Sequence, residues 1–157
     1  MELKSTPYKI CRLKLEHLHK INVRDAYLAD VEFLKQNKGM QDVYLKGSPF
    51  FTLFHNDDII MIYGCHNSGF GTYIPLFLPS NNIRKHSFAV TNAVFDYVQE
   101  CVGPDVRRFE AVCNISDETA VRFAKWFGFE VVGIKRQSSA AGEDQLLLER
   151  LYRKGDA

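Results

Sequence analysis

Three apolar segments between residues 49 and 79 commit this chain to a fold with an antiparallel sheet at its centre. PFFTLFH, DDIIMIYGCH and TYIPLFLP are rich in aromatic and β-branched residues, which suit a pleated surface packed on a core. Asn56-Asp57-Asp58 separates the first two segments and Asn67-Ser68-Gly69 the second two. Asn, Asp and Gly tolerate the left-handed backbone conformations that tight hairpins demand. The pattern therefore predicts a three-stranded meander. Pro75, within the third segment, has no N–H to give a ladder and marks a bulge or a poorly paired stretch.

Helical and extended segments flank this meander. Tyr8 to Leu15 mixes apolar and basic residues and reads as a first strand. From Glu16 to Lys35, the residues Leu18, Ile21, Tyr27, Leu28, Val31 and Leu34 recur at three- and four-residue steps, the spacing of one helix face. The NVRD stretch splits that face into two helices or leaves it as one. Gly39 and Gly47 punctuate a loop.

After the meander comes a polar loop, Ser80 to Ser87, and then a helix from about Lys85 to Val102. Its apolar stripe is expected to be Phe88, Thr91, Val94, Phe95, Val98, Cys101 and Val102, and Gly103-Pro104 stops it. Arg108 to Cys113 is a short strand. Asn114 and Ser116 are candidate caps for a helix whose buried stripe is Ala120, Phe123, Ala124 and Phe127. Gly128 falls at the C′ position, with Phe129 supplying the apolar contact that accompanies such a cap. Glu130 to Lys135 and part of Gln145 to Tyr152 are the last strands, joined by SSAAGED.

The order is thus β, one or two helices, βββ, α, β, α, β, β. It predicts an α/β (α+β) domain with a mixed, mostly antiparallel sheet flanked by helices. At 157 residues the chain suits one domain over 1–157, with 154–157 as a loose tail.

Bulk properties exclude some function classes. Net charge is +1, so no global basic field is present to hold nucleic acid. Lys9, Arg12 and Lys14 read as the solvated edge of a strand. The longest apolar run, IIMIYGC, is too short to span a bilayer. Cys11, Cys65, Cys101 and Cys113 form no zinc spacing and read as thiols in a reducing compartment, which makes the cytoplasm the expected location. His17 and His19 lie on different helix faces, and no metal set is expected.

The element order, together with TAVRFAKWFGFEVVG (residues 119–133), resembles the GNAT superfamily of acyl-CoA-dependent N-acyltransferases over nearly the whole chain. The matching positions are Ala120, Phe123, Gly128 and Phe129. The polar character also resembles small GNAT-like proteins of tailed bacteriophages. The resemblance implies acetyl-CoA or another acyl-CoA as co-substrate, an amine acceptor on a protein or small molecule, and a monomer or homodimer. It leaves open a catalytically degenerate protein that binds and modulates another protein, a host enzyme if the source is a phage, or a virion component.

The family places a glycine-bearing loop after its fourth strand to receive the cofactor's pyrophosphate at a helix N-terminus, where main-chain N–H groups and the helix dipole favour an anion. Here the loop aligns as Asn82-Ile83-Arg84-Lys85-His86-Ser87, with Lys85 and Ser87 on the glycine positions. Arg84, Lys85 and His86 keep it cationic; the alternative is a solvated loop that caps a helix.

The resemblance implies that the pantetheine arm lies between splayed strands carrying Leu76, Phe77 and Leu78 opposite Ala111, Val112 and Cys113. Asn114 and Asp117 serve that arm or cap the helix. The family's usual tyrosine acid falls at Ala124. Candidate bases are then Glu110 and His66, and the candidate acid is Tyr73. The alternatives are a solvent-facing Glu110, a turn residue at His66 and a packed aromatic at Tyr73. Cys113, near the expected thioester, reads more strongly as a buried thiol than as a nucleophile.

Overall fold

The computed structural model describes residues 6–152; the expected tail at 154–157 lies outside them. Elements in chain order are β1 (Tyr8–Arg12), α1 (Leu15–Lys20), α2 (Asp25–Gln36), α3 (Lys38–Lys46), β2 (Phe50–His55), β3 (Asp58–Gly69), β4 (Thr72–Pro79), a 3₁₀ turn (Ile83–His86), α4 (Ser87–Cys101), β5 (Arg108–Asn114), α5 (Glu118–Trp126), β6 (Glu130–Lys135) and β7 (Gln145–Leu151). The sheet runs β1-β2-β3-β4-β5-β7-β6. Every neighbouring pair is antiparallel except β4 and β5. The fold is therefore the expected mixed, mostly antiparallel α/β domain.

β3 is the spine of the sheet. Ile59 through Cys65 are buried without interruption, because helices cover both faces. Alternation along β2 sends Phe50 and Thr52 toward α1–α3 and Leu53 toward α4. Phe50, Ile59, Ile62 and Leu78 join Leu18, Val31 and Leu34 in one core. Leu53, Met61, Tyr63 and Tyr73 join Val90, Ala93 and Tyr97 in the other. Each fully buried large side chain contributes about 1.5–3 kcal/mol.

Several expectations change. β1 ends at Arg12, not Leu15; Leu13 turns into the core and Lys14 is the N-cap of α1. The helical face over 16–35 is two helices, parted at residues 21–24. The expected loop around Gly39 and Gly47 is α3. The Asn37 side chain accepts from the Met40 N–H at 3.0 Å and nucleates it, while Gly47 closes it by donating to the Val43 carbonyl. Gly39 lies inside the helix, and packing of Met40, Tyr44 and Leu45 on the core outweighs its low propensity.

The second hairpin also shifts. β3 continues through Asn67 and Ser68, so the tip is Phe70-Gly71, with φ of 53° and 74°. A Cβ on Gly71 would meet the Asp105 carbonyl at 2.5 Å, so glycine is required there for space as well as conformation.

α4 begins at Ser87, and its buried residues are Val90, Ala93 and Tyr97 rather than the expected stripe. Phe88 is 81% exposed and Phe95 46%. Tyr97 wins the inner position because its hydroxyl is satisfied, donating to the Pro49 carbonyl at 2.7 Å and accepting from the Cys65 N–H at 2.9 Å. Of the cap candidates Asn114, Ser116 and Asp117, it is Asp117 that caps α5, accepting from the Ala120 N–H at 3.1 Å. Gly128 has φ 88°, as its C′ position requires.

Two tests follow from this packing. A Cβ at Gly64 would lie 2.5 Å from the Phe50 ring, and Phe50 is fully buried. Gly64→Ala is expected to cost about 1–3 kcal/mol, read as a lower urea midpoint at unchanged m-value. His17 is buried, with Nδ1 accepting from the Lys14 N–H at 3.2 Å and lying 2.8 Å from the Thr52 hydroxyl. Burial holds its pKa below the ordinary value of 6.5. The unfolded chain then takes up the proton more readily, so this contribution is full above pH 6.5 and lost as pH falls through the folded pKa. His17→Gln is expected to flatten the fall in stability between pH 7 and 5, measured by urea unfolding against the parent protein.

Candidate functional site

The site begins with a ladder that stops. β4 and β5 are bridged only at Thr72–Arg108 and Tyr73–Phe109, anchored where the Gly71 carbonyl accepts from the Arg107 and Arg108 N–H groups at 2.8 and 3.1 Å. Strand alternation turns the main chain of Gly71, Tyr73, Pro75 and Phe77 toward β5. At the next step Pro75 has no N–H to give. On its other side Pro75 pairs in register with Cys65 of β3, so the poor pairing expected of it falls entirely on the β5 edge. Beyond it the strands diverge, and Phe77 and Val112 present main-chain groups to a gap.

That gap opens into a cleft of about 320 Å³ between β4, β5, α4 and α5. Its walls are apolar: Val90, Val94 and Val98 from α4, Phe123 from α5, Phe127 at the C-cap of α5, and Phe77, which stacks on Phe123 at 5.2 Å. Ala120 and Ala124 supply the space on α5. The expected buried stripe of α5 therefore faces the cleft, and none of it is fully buried.

Polar groups gather at the mouth. Arg24, Arg84, Ser87 and Thr119 line it. Arg84 donates to the Thr119 hydroxyl at 3.1 Å. No side chain caps α4 and no acid occupies its first turn, so the positive end of its dipole is not neutralised locally. Arg24 grips Asp117 through both carboxylate oxygens, at 3.0 and 2.8 Å. Its guanidinium also lies 5.5 Å from the Tyr27 ring centre. Burial, reinforced by the Asp117 carboxylate, pushes the Tyr27 hydroxyl pKa up.

The sequence-derived candidates scatter around this cleft. Leu76, Phe77, Arg84 and Ser87 line it. Leu78 is buried in the opposite core. Asn82 and Lys85 are exposed. His86 turns away, its Nδ1 2.7 Å from the Tyr8 hydroxyl and its ring 4.7 Å from His55. Asn114 accepts from Gln145 at 2.9 Å. Asp117 caps α5 and holds Arg24.

None of the three catalytic candidates is among the lining residues. Glu110 pairs with Arg108 at 3.0 Å, and Arg108 also reaches Glu149 at 3.2 Å. The Tyr73 hydroxyl donates to Asp105 at 3.0 Å and accepts from the Gly103 N–H at 3.2 Å; burial, then Asp105, raises its pKa. His66 lies within β3, opposite Ile74. Cys113 does line the cleft. Burial and the nearby Asp117 carboxylate push its thiol up to about 11.

Sequence reasoning missed Arg24, Tyr27 and Thr119. The signal for Arg24 was its place in the helix-breaking NVRD stretch, but its partner lies 93 residues away. Among the described residues no group of three His, Cys, Asp or Glu side chains is gathered to hold a metal, and no helix is long and apolar enough to cross a membrane.

The architecture is that of solved GNAT acetyltransferases. Ard1 from Thermoplasma volcanium superposes with a TM-score of 0.67 at 12% identity, over 94% of this chain and 99% of that one. A Bacillus subtilis acetyltransferase in complex with CoA gives 0.66 at 14%, over 93% and 98%. IAA acetyltransferase from Bacillus cereus gives 0.65 at 11%, over 92% and 99%. No family model matches the sequence, and no curated protein does. Identities this low establish the shared fold alone. They say nothing of a viral source.

The cleft predicts the behaviour of its thiol. At pH 8 a pKa near 11 leaves roughly a hundredfold less thiolate than an ordinary cysteine has. Iodoacetamide is expected to modify Cys113 about that much more slowly in the folded protein than in the urea-unfolded chain, read by peptide mass spectrometry over time.

Proposed function

We propose that this protein is an acyl-CoA-dependent N-acyltransferase, moving an acyl group, acetyl in the simplest case, from CoA to an amine on a protein or small molecule. The observation that carries this reading is the divergence of β4 and β5 after Tyr73. It leaves Phe77 and Val112 main-chain groups facing an apolar cleft whose mouth has an uncapped helix N-terminus and two arginines. A thioester's amide-bearing arm needs main-chain partners along its length, and its phosphates need cations and N–H donors at one end. The residues present fit that demand. Arg84, Ser87 and the first turn of α4 would receive the phosphates, and Phe77 and Val112 the arm. Lys85, on a glycine position of the resembled loop, is exposed and does not line the cleft, so it leaves the approach open.

The CoA thioester supplies an activated acyl group. The chain must take a proton from the incoming ammonium, polarise the carbonyl and let the thiolate be protonated. Glu110 and His66 are the candidates for the base and Tyr73 for the acid. Glu110 is engaged by Arg108 and Tyr73 by Asp105, and none of the three lines the cleft. Ala124 has no proton to give.

A second reading is a scaffold that binds and modulates another protein. Its support is the combination of Ala124 with an exposed aromatic group on α4 and α5, where Phe95, Trp126 and Phe127 contact one another and Trp126 is 63% exposed. Calorimetric titration separates the two readings. Acetyl-CoA is expected to bind saturably, and Arg84→Ala to weaken it by about 1 kcal/mol, roughly fivefold. Thiol release in the presence of a panel of amines then reads activity. No heat and no thiol release at millimolar acetyl-CoA would reject the transferase in favour of the scaffold.

A further inference from the structure

The Arg24–Asp117 pair joins the two sides of the sheet across the open end of the cleft. Arg24 is the N-cap of α2, which packs on one face. Asp117 is the N-cap of α5, which packs on the other. The chain before Arg24 is fastened to the end of β4: Val23 bridges Ser80, and the Asn81 N–H donates to the Asn22 carbonyl at 2.9 Å. Asp117 follows directly on the end of β5, its N–H bonded to the Asn114 carbonyl at 3.0 Å. The contact thus spans from the tip of β4 to the tip of β5, where the strands stand apart.

Shelter and geometry make the link definite. The side chains are 24% and 7% exposed, and a single guanidinium nitrogen, Nη2, donates to both carboxylate oxygens. Arg24 Nε is buried without a hydrogen-bond partner, so the guanidinium is held in place by Asp117 and the Tyr27 ring rather than by a full set of acceptors. Arg84–Thr119 makes a second, exposed crossing of the same mouth.

We propose that Arg24–Asp117 is a latch on the cleft, opening to admit the acyl donor's arm and re-forming over it, so that it sets the rates of binding and release. The latch rests on the transferase reading for its ligand, but its opening is a property of the protein alone.

The test has two arms. In the absence of ligand, a neutral maleimide probes Cys113, which lies inside the cleft close to Asp117. Arg24→Met unlatches the mouth yet leaves the Asp117 charge, so that carboxylate's part in raising the thiol pKa, second to burial, is kept. Faster modification therefore reports opening. A rise of fivefold or more at Cys113, with Cys11 and Cys101 unchanged, is expected; an unchanged or slower rate overturns the latch. Asp117→Asn keeps a good cap but removes a charge that raises the Cys113 pKa, so it is used only in the second arm, where no thiol is read.

In the second arm, stopped-flow chase of bound acetyl-CoA should show release at least fivefold faster in Asp117→Asn. Equal release rates overturn the proposal. If the parent protein binds no acetyl-CoA, the transferase reading fails, while the maleimide arm still decides whether the pair gates the cleft.

Discussion

Everything at the centre of this molecule depends on a parallel ladder that ends after two residue pairs. β1 through β4 form one antiparallel half of the sheet and β5, β7 and β6 another, and Thr72–Arg108 and Tyr73–Phe109 are the bridges between them. A sheet that stops pairing in its middle leaves main-chain groups without strand partners, at about 1–3 kcal/mol for each one kept from water. Pro75 reduces that cost, since it withdraws a donor that would otherwise face the gap. Gly71 and the Tyr73 hydroxyl secure the narrow end, Gly71 through two N–H groups and Tyr73 through Asp105 and Gly103. The helices then bind the halves together, and the space they leave is the cleft.

This arrangement explains where the chain spends apolar residues. β3 is buried on both faces over seven consecutive positions, Ile59–Cys65, and its two hairpins need no long-range closure. The β5 half has less behind it. Val131, Val132, Ile134 and Leu151 all retain substantial exposure. Its attachment relies on α4, α5 and the mouth contacts as much as on the sheet. The contacts at the mouth are thus distinct from the packing that holds the meander.

Local chemistry made the meander legible in sequence, and non-local chemistry hid most of the site. Asn56 takes φ 54° and Gly69 φ 95°, as their residue types suggested, and Gly128 closes α5 because few other residues adopt φ 88°. The errors arose where a long-range partner decided the outcome. Gly39 looked like a loop until Met40 and Tyr44 found a core across the chain. Phe88 and Phe95 looked more buried than Tyr97, but Tyr97 has Pro49 and Cys65 to satisfy its hydroxyl. Arg84 and Ser87 were visible as a cationic loop before a helix. Arg24 was not, since nothing in NVRD points to residue 117. Glu110, His66 and Tyr73 were chosen by strand position, and position does not say whether a side chain faces a cleft or an ion pair on the other side.

Asp117 shows how one side chain can serve two demands. As a cap it needs only an oxygen for the Ala120 N–H, and Asn would do as well. As the partner of a guanidinium nitrogen that donates to both of its oxygens it needs two oxygens and a charge, and only Asp at that length offers both. The charge has a local consequence, because it raises the pKa values of both Tyr27 and Cys113. It thereby adds to burial, the larger cause, in keeping both groups on the cleft wall neutral. An apolar cleft tolerates neutral polar groups far more cheaply than charged ones. The same carboxylate that pairs with Arg24 across the mouth therefore reinforces what burial does to the wall beneath it, while leaving the arginines as the cationic groups at the opening.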